Sequence, residues 1–177
     1  RAASLRGDDG AMRESAFLVR ELGRPLMAAS FDAWSALRRG DAAQAELHWR
    51  EVLASAGLPQ DWIAAVLRAH AAPGDAAARA AAVAAIDAWP EAAKPRLNHG
   101  FLAYALAGDA ERAMQALERT RGDVPTMWLS DLWLPELAPL RRHERFVPWL
   151  REAGLLALWE AHGEPERCRR DGGGTWR

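Results

Sequence analysis

The dipeptide Gly-Asp stands at residues 7–8, 40–41, 74–75 and 108–109, so successive copies lie 33, 34 and 34 residues apart. Three of the copies follow an apolar, helix-favouring run (Ser35-Ala36-Leu37-Arg38-Arg39, Ala64-Ala65-Val66-Leu67-Arg68, Ala103-Tyr104-Ala105-Leu106-Ala107), and a further run of that kind comes after each. Glycine takes the left-handed backbone that ends one helix, and the aspartate carboxylate caps the free N–H groups that begin the next. The dipeptide therefore predicts a helix–turn–helix corner. A period of about 34 residues made of two helices and a tight turn is that of a helical solenoid, in which each hairpin buries its apolar face against its neighbours.

Half of the 177 residues are apolar, enough for one domain with a sizeable core. Net charge is −1, from 23 basic and 24 acidic residues, which removes the global field that draws a protein to nucleic acid or an anionic membrane. The longest alanine-rich stretch, residues 76–88, is interrupted by Arg79 and Asp87, and no run approaches the roughly 20 apolar residues of a membrane span. Cys168 is the only cysteine, so an intrachain disulfide is excluded and a reducing compartment is favoured. The expectation is a soluble cytoplasmic domain, the periplasm being the alternative, with no membrane or nucleic-acid partner. The first residues, Arg1-Ala2-Ala3-Ser4-Leu5-Arg6, hold neither an initiator methionine nor a signal-peptide core, which reads as the C-terminal piece of something longer.

Taken in order, residues 1–24 form a partial N-terminal repeat, mostly its second helix, with apolar Ala11, Met12, Phe17, Leu18 and Leu22 near helical spacing. Residues 25–126 hold three full repeats. The first pairs a helix carrying Met27, Phe31, Trp34 and Leu37 with one carrying Ala45, Leu47, Trp49, Val52 and Leu53; the second spans 61–71 and 75–89, the third 95–107 and 109–120. From Met127 the period is lost, and Pro135 and Pro139 break the chain into a connector. Two short helices, 143–152 and 155–162, carry Phe146, Val147, Trp149, Leu150, Leu155, Leu156, Leu158 and Trp159 and cap the last repeat, so 127–163 is a capping region and 164–177 a flexible tail.

The pattern around the corners resembles the tetratricopeptide repeat. In the third copy the residues that carry the resemblance are Phe101, Tyr104, Gly108, Ala113, Leu117 and Pro125; in the first they are Ala33, Ala36, Gly40, Ala45, Trp49 and Gly57. The middle copy has Leu67, His70, Gly74 and Val83 in place but Arg79 where a small residue belongs, so its second helix is either rotated or extends Arg79 outward. The tail, with Pro139-Leu140-Arg141-Arg142-His143-Glu144-Arg145-Phe146, Gly154-Leu155, Trp159, Gly163, Pro165 and Cys168, resembles the closing segment of bacterial tetratricopeptide proteins in which the repeats follow a signalling or output domain. The resemblance implies an all-α, tetratricopeptide-like superhelix. It also implies a regulatory or sensory module that binds a peptide, a partner domain or an effector domain of a longer parent protein.

Catalytic and metal chemistry find little to stand on. His48, His70, His99, His143 and His162 are scattered, Cys168 and His162 lie in a polar stretch with no third group, and no glycine-rich phosphate loop precedes a helix. The expectation is no enzyme, no cofactor and no metal. The basic cluster Arg141, Arg142, His143 and Arg145 reads as a solvated face paired with Glu136, Glu144 or Glu152. Most of the nine tryptophans fall at core spacings. In a solenoid the first helix of each pair lines a concave wall, which projects Ser30, Trp34, Arg38, Arg68, Asn98 and Leu102 toward a partner, the arginines and asparagine suiting a peptide carboxylate. The alternative is a small-ligand sensor with a tryptophan-lined concavity.

Overall fold

The structure, a computed structural model, describes residues 8–89, 100–119 and 130–162. The expectations for Asn98, His99, Pro125, Trp128, Cys168, Trp176 and the tail lie outside these residues. The described residues are helical with no strand: α1 Asp9–Glu21, α2 Pro25–Arg38, α3 Ala42–Ser55, α4 Ile63–Ala71, α5 Ala76–Asp87, α6 Gly100–Leu106, α7 Ala110–Arg119, α8 Ala138–Arg141, α9 Phe146–Glu152 and α10 Leu155–His162. Two 3-10 turns, Ser130–Trp133 and Pro135–Leu137, precede α8. Sequential helices pair as hairpins, α1 with α2, α2 with α3, α4 with α5 and α6 with α7, and α4 also packs on α6.

All four aspartates of the repeated dipeptide do the capping that the sequence assigns them. Asp8 accepts from Ala11 N, Asp41 from Gln44 N, Asp75 from Ala77 N and Ala78 N, and Asp109 from Arg112 N, at 2.9–3.1 Å. The glycines divide. Gly40 (φ 76°) and Gly108 (φ 82°) are left-handed, and behind each a pair of N–H groups reaches back to the helix: Asp41 N to Ala36 O and Gly40 N to Leu37 O, Asp109 N to Tyr104 O and Gly108 N to Ala105 O. That double closure satisfies two carbonyls left over at a helix end. Gly74 is not left-handed. At its corner the position of the left-handed residue falls to Pro73, which has no N–H and a φ held near about −65°, so the turn closes instead from Asp75 N to Ala72 O.

That difference explains Arg79. In α3 and α7 the residue four after the capping aspartate, Ala45 or Ala113, is fully buried; in α5 that residue is Arg79, which is half-buried, while Ala78 and Ala82 point inward. The proline corner enters α5 one residue out of phase, and the helix turns to bury alanine rather than arginine.

One main core runs from Met12 of α1 to Trp159 of α10, with Ala33, Ala36 and Ala45 allowing close approach of helices and aromatic pairs filling between them. Trp34 meets Trp49 edge-on at 5.2 Å, and Trp62 meets Trp89 at 5.1 Å. Pro135 and Pro139 prove to be starters rather than breakers, each in the first turn of its helix. Leu132, Leu134, Leu137 and Leu140 of this connector are all buried in the main core. Phe146, Trp149, Leu150, Leu156 and Trp159 of α9 and α10 are buried in the main core, whereas Leu158 faces out. Phe17, Leu18, Leu22, Met27 and Leu47, apolar residues at helical spacing, are also exposed.

A Cβ added at Gly40, Gly74 or Gly108 meets no atom within 4 Å, so only the backbone distinguishes them. Gly108→Ala and Gly40→Ala are each expected to cost about 1–2 kcal/mol by forcing a side chain into the left-handed region. Gly74→Ala is expected to be neutral or to stabilise by up to about 1 kcal/mol. Urea denaturation of the three variants checks this; equal losses at all three would contradict the assignment of the corners.

Candidate functional site

The wall projected from the sequence comes from α2, α4 and α6, and its residues have diverse fates. Ser30 is half-buried, Arg68 is exposed, and Leu102 is half-buried against the main core. Trp34 is buried and committed to Trp49, so it is a packing residue and not a surface reader. Arg38 is the most heavily engaged of the set. Its Nε donates to Glu136 Oε1 at 2.6 Å and its Nη2 to Glu136 Oε2 at 3.1 Å, a two-pronged pair across 98 residues of sequence. Its Nη1 also lies 2.9 Å from Met12 Sδ, and its guanidinium sits 6.0 Å from the Trp34 ring. With side chains only 13% and 8% exposed, Arg38 and Glu136 form a buried ion pair.

Glu136 arrives there on the Pro135–Leu137 turn, which packs against α6. The connector thus lies against the first helix of one hairpin while gripping the first helix of another. Arg141 steadies it from within: Nη1 donates to Leu132 O at 2.6 Å and Leu134 O at 2.8 Å, and the guanidinium stands over Trp133. Arg145 and His143 of the basic cluster are paired, but to other carboxylates than the sequence suggests. Arg145 donates to Glu111 and to Glu118 at 2.9 Å, and His143 Nε2 is 3.0 Å from Glu111 Oε2. Gln115 first, with His143 and Arg145, holds the Glu111 carboxyl below its usual range. Arg142 is exposed.

A second polar knot joins α5, α6 and α7. Tyr104 donates to Asp87 Oδ1 at 2.5 Å, and Arg112 donates to the other oxygen of the same carboxylate. Burial first, then the Asp87 hydrogen bond and charge, push the tyrosine hydroxyl up to about 12, against the opposing pull of Arg112. A third knot ties α1 to α2, where Ser35 and Arg39 both donate to Asp9. The Ser35 hydrogen bond, aided by Arg39 and Arg13, keeps that carboxyl below its ordinary value despite partial burial. None of these knots was legible in the sequence, because each joins residues 17 to 98 positions apart.

Among the described residues no three His, Cys, Asp or Glu side chains gather in a way that could hold a metal ion. Among them, too, no helix is long and apolar enough to cross a membrane. The buried tryptophans Trp34, Trp62, Trp89, Trp149 and Trp159 belong to the core. No protein-family model matches the chain, nor does any curated protein or solved structure. What the geometry defines is an all-α protein built of helical hairpins.

Two measurements check these assignments. Removing one member of a buried pair leaves the other charge stranded, so Glu136→Ala is expected to cost about 3–5 kcal/mol. The exposed pair Arg20–Asp32, with side chains 51% and 22% exposed, should lose under about 1 kcal/mol in Asp32→Ala. Urea midpoints that rank these two the other way would refute the burial argument. Tyr104 is the only tyrosine, so tyrosinate absorbance reads it alone. Its midpoint is expected near 12 in the folded chain and shifted toward the ordinary 10 in Asp87→Asn. Because the folded value is raised, the stability it contributes is full below pH 10 and is lost as pH climbs toward 12.

Proposed function

We propose that this chain is a tetratricopeptide-like solenoid that works as a protein–protein interaction module. It would serve as the regulatory or sensory part of a larger bacterial protein, holding a peptide or partner domain against the first helices of its hairpins. The observation that carries the reading is the connector itself. Its Pro135–Leu137 turn lies on α6 and presents a carboxylate to Arg38 of α2, so a turn of polypeptide already sits against first helices of the hairpins. Arg38 is consumed by that contact. The residues left to read a partner are Arg68, exposed on α4, with Leu102 and Ser30 beside the core. Arginine favours a carboxylate through charge-assisted hydrogen bonds, which makes an acidic peptide the partner chemistry.

The test is affinity selection of a displayed random-peptide library on the folded chain, followed by titration of the enriched peptides. Enrichment of acidic sequences is expected, with Arg68→Glu weakening them by about 10- to 100-fold, the worth of one hydrogen bond to a charged group, at unchanged helicity. Absence of any enriched sequence, or binding indifferent to Arg68→Glu, would remove the reading.

A further inference from the structure

The N-terminal pair of helices presents apolar side chains to solvent. Phe17 and Leu18 on α1, Leu22 at its end, and Leu26 and Met27 at the start of α2 are between 42% and 76% exposed. At roughly 200 Å² for a large apolar side chain, these five leave on the order of 500 Å² outside, near the top of what a lone soluble chain tolerates in one patch. Beneath them Ala16, Ala28, Phe31 and Val19 form a small cluster separate from the main core, so this end is a thin layer with its outer side bare.

The charges around the patch say what covers it. Along α1 the exposed order is Arg13, Glu14, then Phe17, then Arg20, Glu21. Two copies of α1 laid antiparallel about a two-fold axis at Phe17 would set Arg13 of each opposite Glu21 of the other, and Glu14 opposite Arg20, whose guanidinium already holds Asp32 at 2.6 Å but stays 51% exposed. The pattern is antisymmetric in charge about its apolar centre, as a self-complementary contact requires. A foreign partner would not demand that symmetry. Among the described residues Arg13 makes a long contact to Asp9, 3.6 Å, and stays 66% exposed. Adding this charged rim to the apolar patch brings the contact toward the roughly 800 Å² per side of a standard interface.

We propose that the chain forms a two-fold dimer through the outer face of α1, centred on Phe17, with the α1–α2 tip completing the apolar contact. Sedimentation equilibrium of the full chain over about 1–100 μM, where modest interfaces of this size dissociate, is expected to show twice the chain mass at the upper end. Phe17→Asp, at an exposed site that should not disturb folding, is expected to give a monomer of unchanged helicity throughout. Arg13→Glu is expected to weaken the dimer about tenfold or more by opposing like charges, and Arg13→Glu with Glu21→Arg to restore it. A wild-type chain that stays monomeric at the top of the range would overturn the proposal and leave the face to another partner. A dimer that survives Phe17→Asp, or a double exchange no better than the single one, would overturn the two-fold arrangement.

Discussion

A helix can be followed tightly by another only if the carbonyls at its end and the N–H groups at the next beginning both find partners, since each left bare and buried costs about 1–3 kcal/mol. In this chain that accounting is settled at the corners. A left-handed glycine lets two N–H groups turn back on the finished helix, and the aspartate after it receives the N–H groups of the new one. Spacing, hairpin pairing and the inward face of each second helix all follow from where this happens. The corner at Pro73 shows the dependence by exception: the closure changes, and α5 rotates until Ala78 and Ala82 rather than Arg79 meet the core.

The Arg38–Glu136 pair stands between two readings, a partner-binding arginine caught by an internal mimic and a structural tie. Magnitudes decide. Releasing the connector would expose Leu132, Leu134, Leu137 and Leu140, all buried, at about 2 kcal/mol each, and would strand a buried charge besides. A loss of that size approaches the whole stability of an ordinary domain. The connector is therefore part of the fold, and the surface free to meet a partner is narrower than the set of first-helix residues suggests.

Periodicity located the helices well and their faces less well. Helix bounds came within a few residues of expectation because propensity, capping and turn chemistry act over four or five positions. Phe17, Leu18, Leu22, Met27, Leu47 and Leu158 stay exposed, because apolar character alone does not say which stripe faces the core when alanines occupy the contact positions, as Ala16, Ala28 and Ala45 do here. The site was legible only in outline. Arg68 is exposed as a reader must be, whereas Trp34 and Arg38 were chosen for chemistry that the fold spends internally.

By itself the sequence determined where the chain turns and that an aspartate caps each helix after a corner, since glycine and aspartate act on backbone groups in their own neighbourhood. It also determined that the described residues build helices and no strand. Only the tertiary structure decided which carboxylate meets Arg38, which carboxylates hold Arg145, and which apolar stripe is left in water, because those outcomes depend on how hairpins far apart in the chain come to lie against one another.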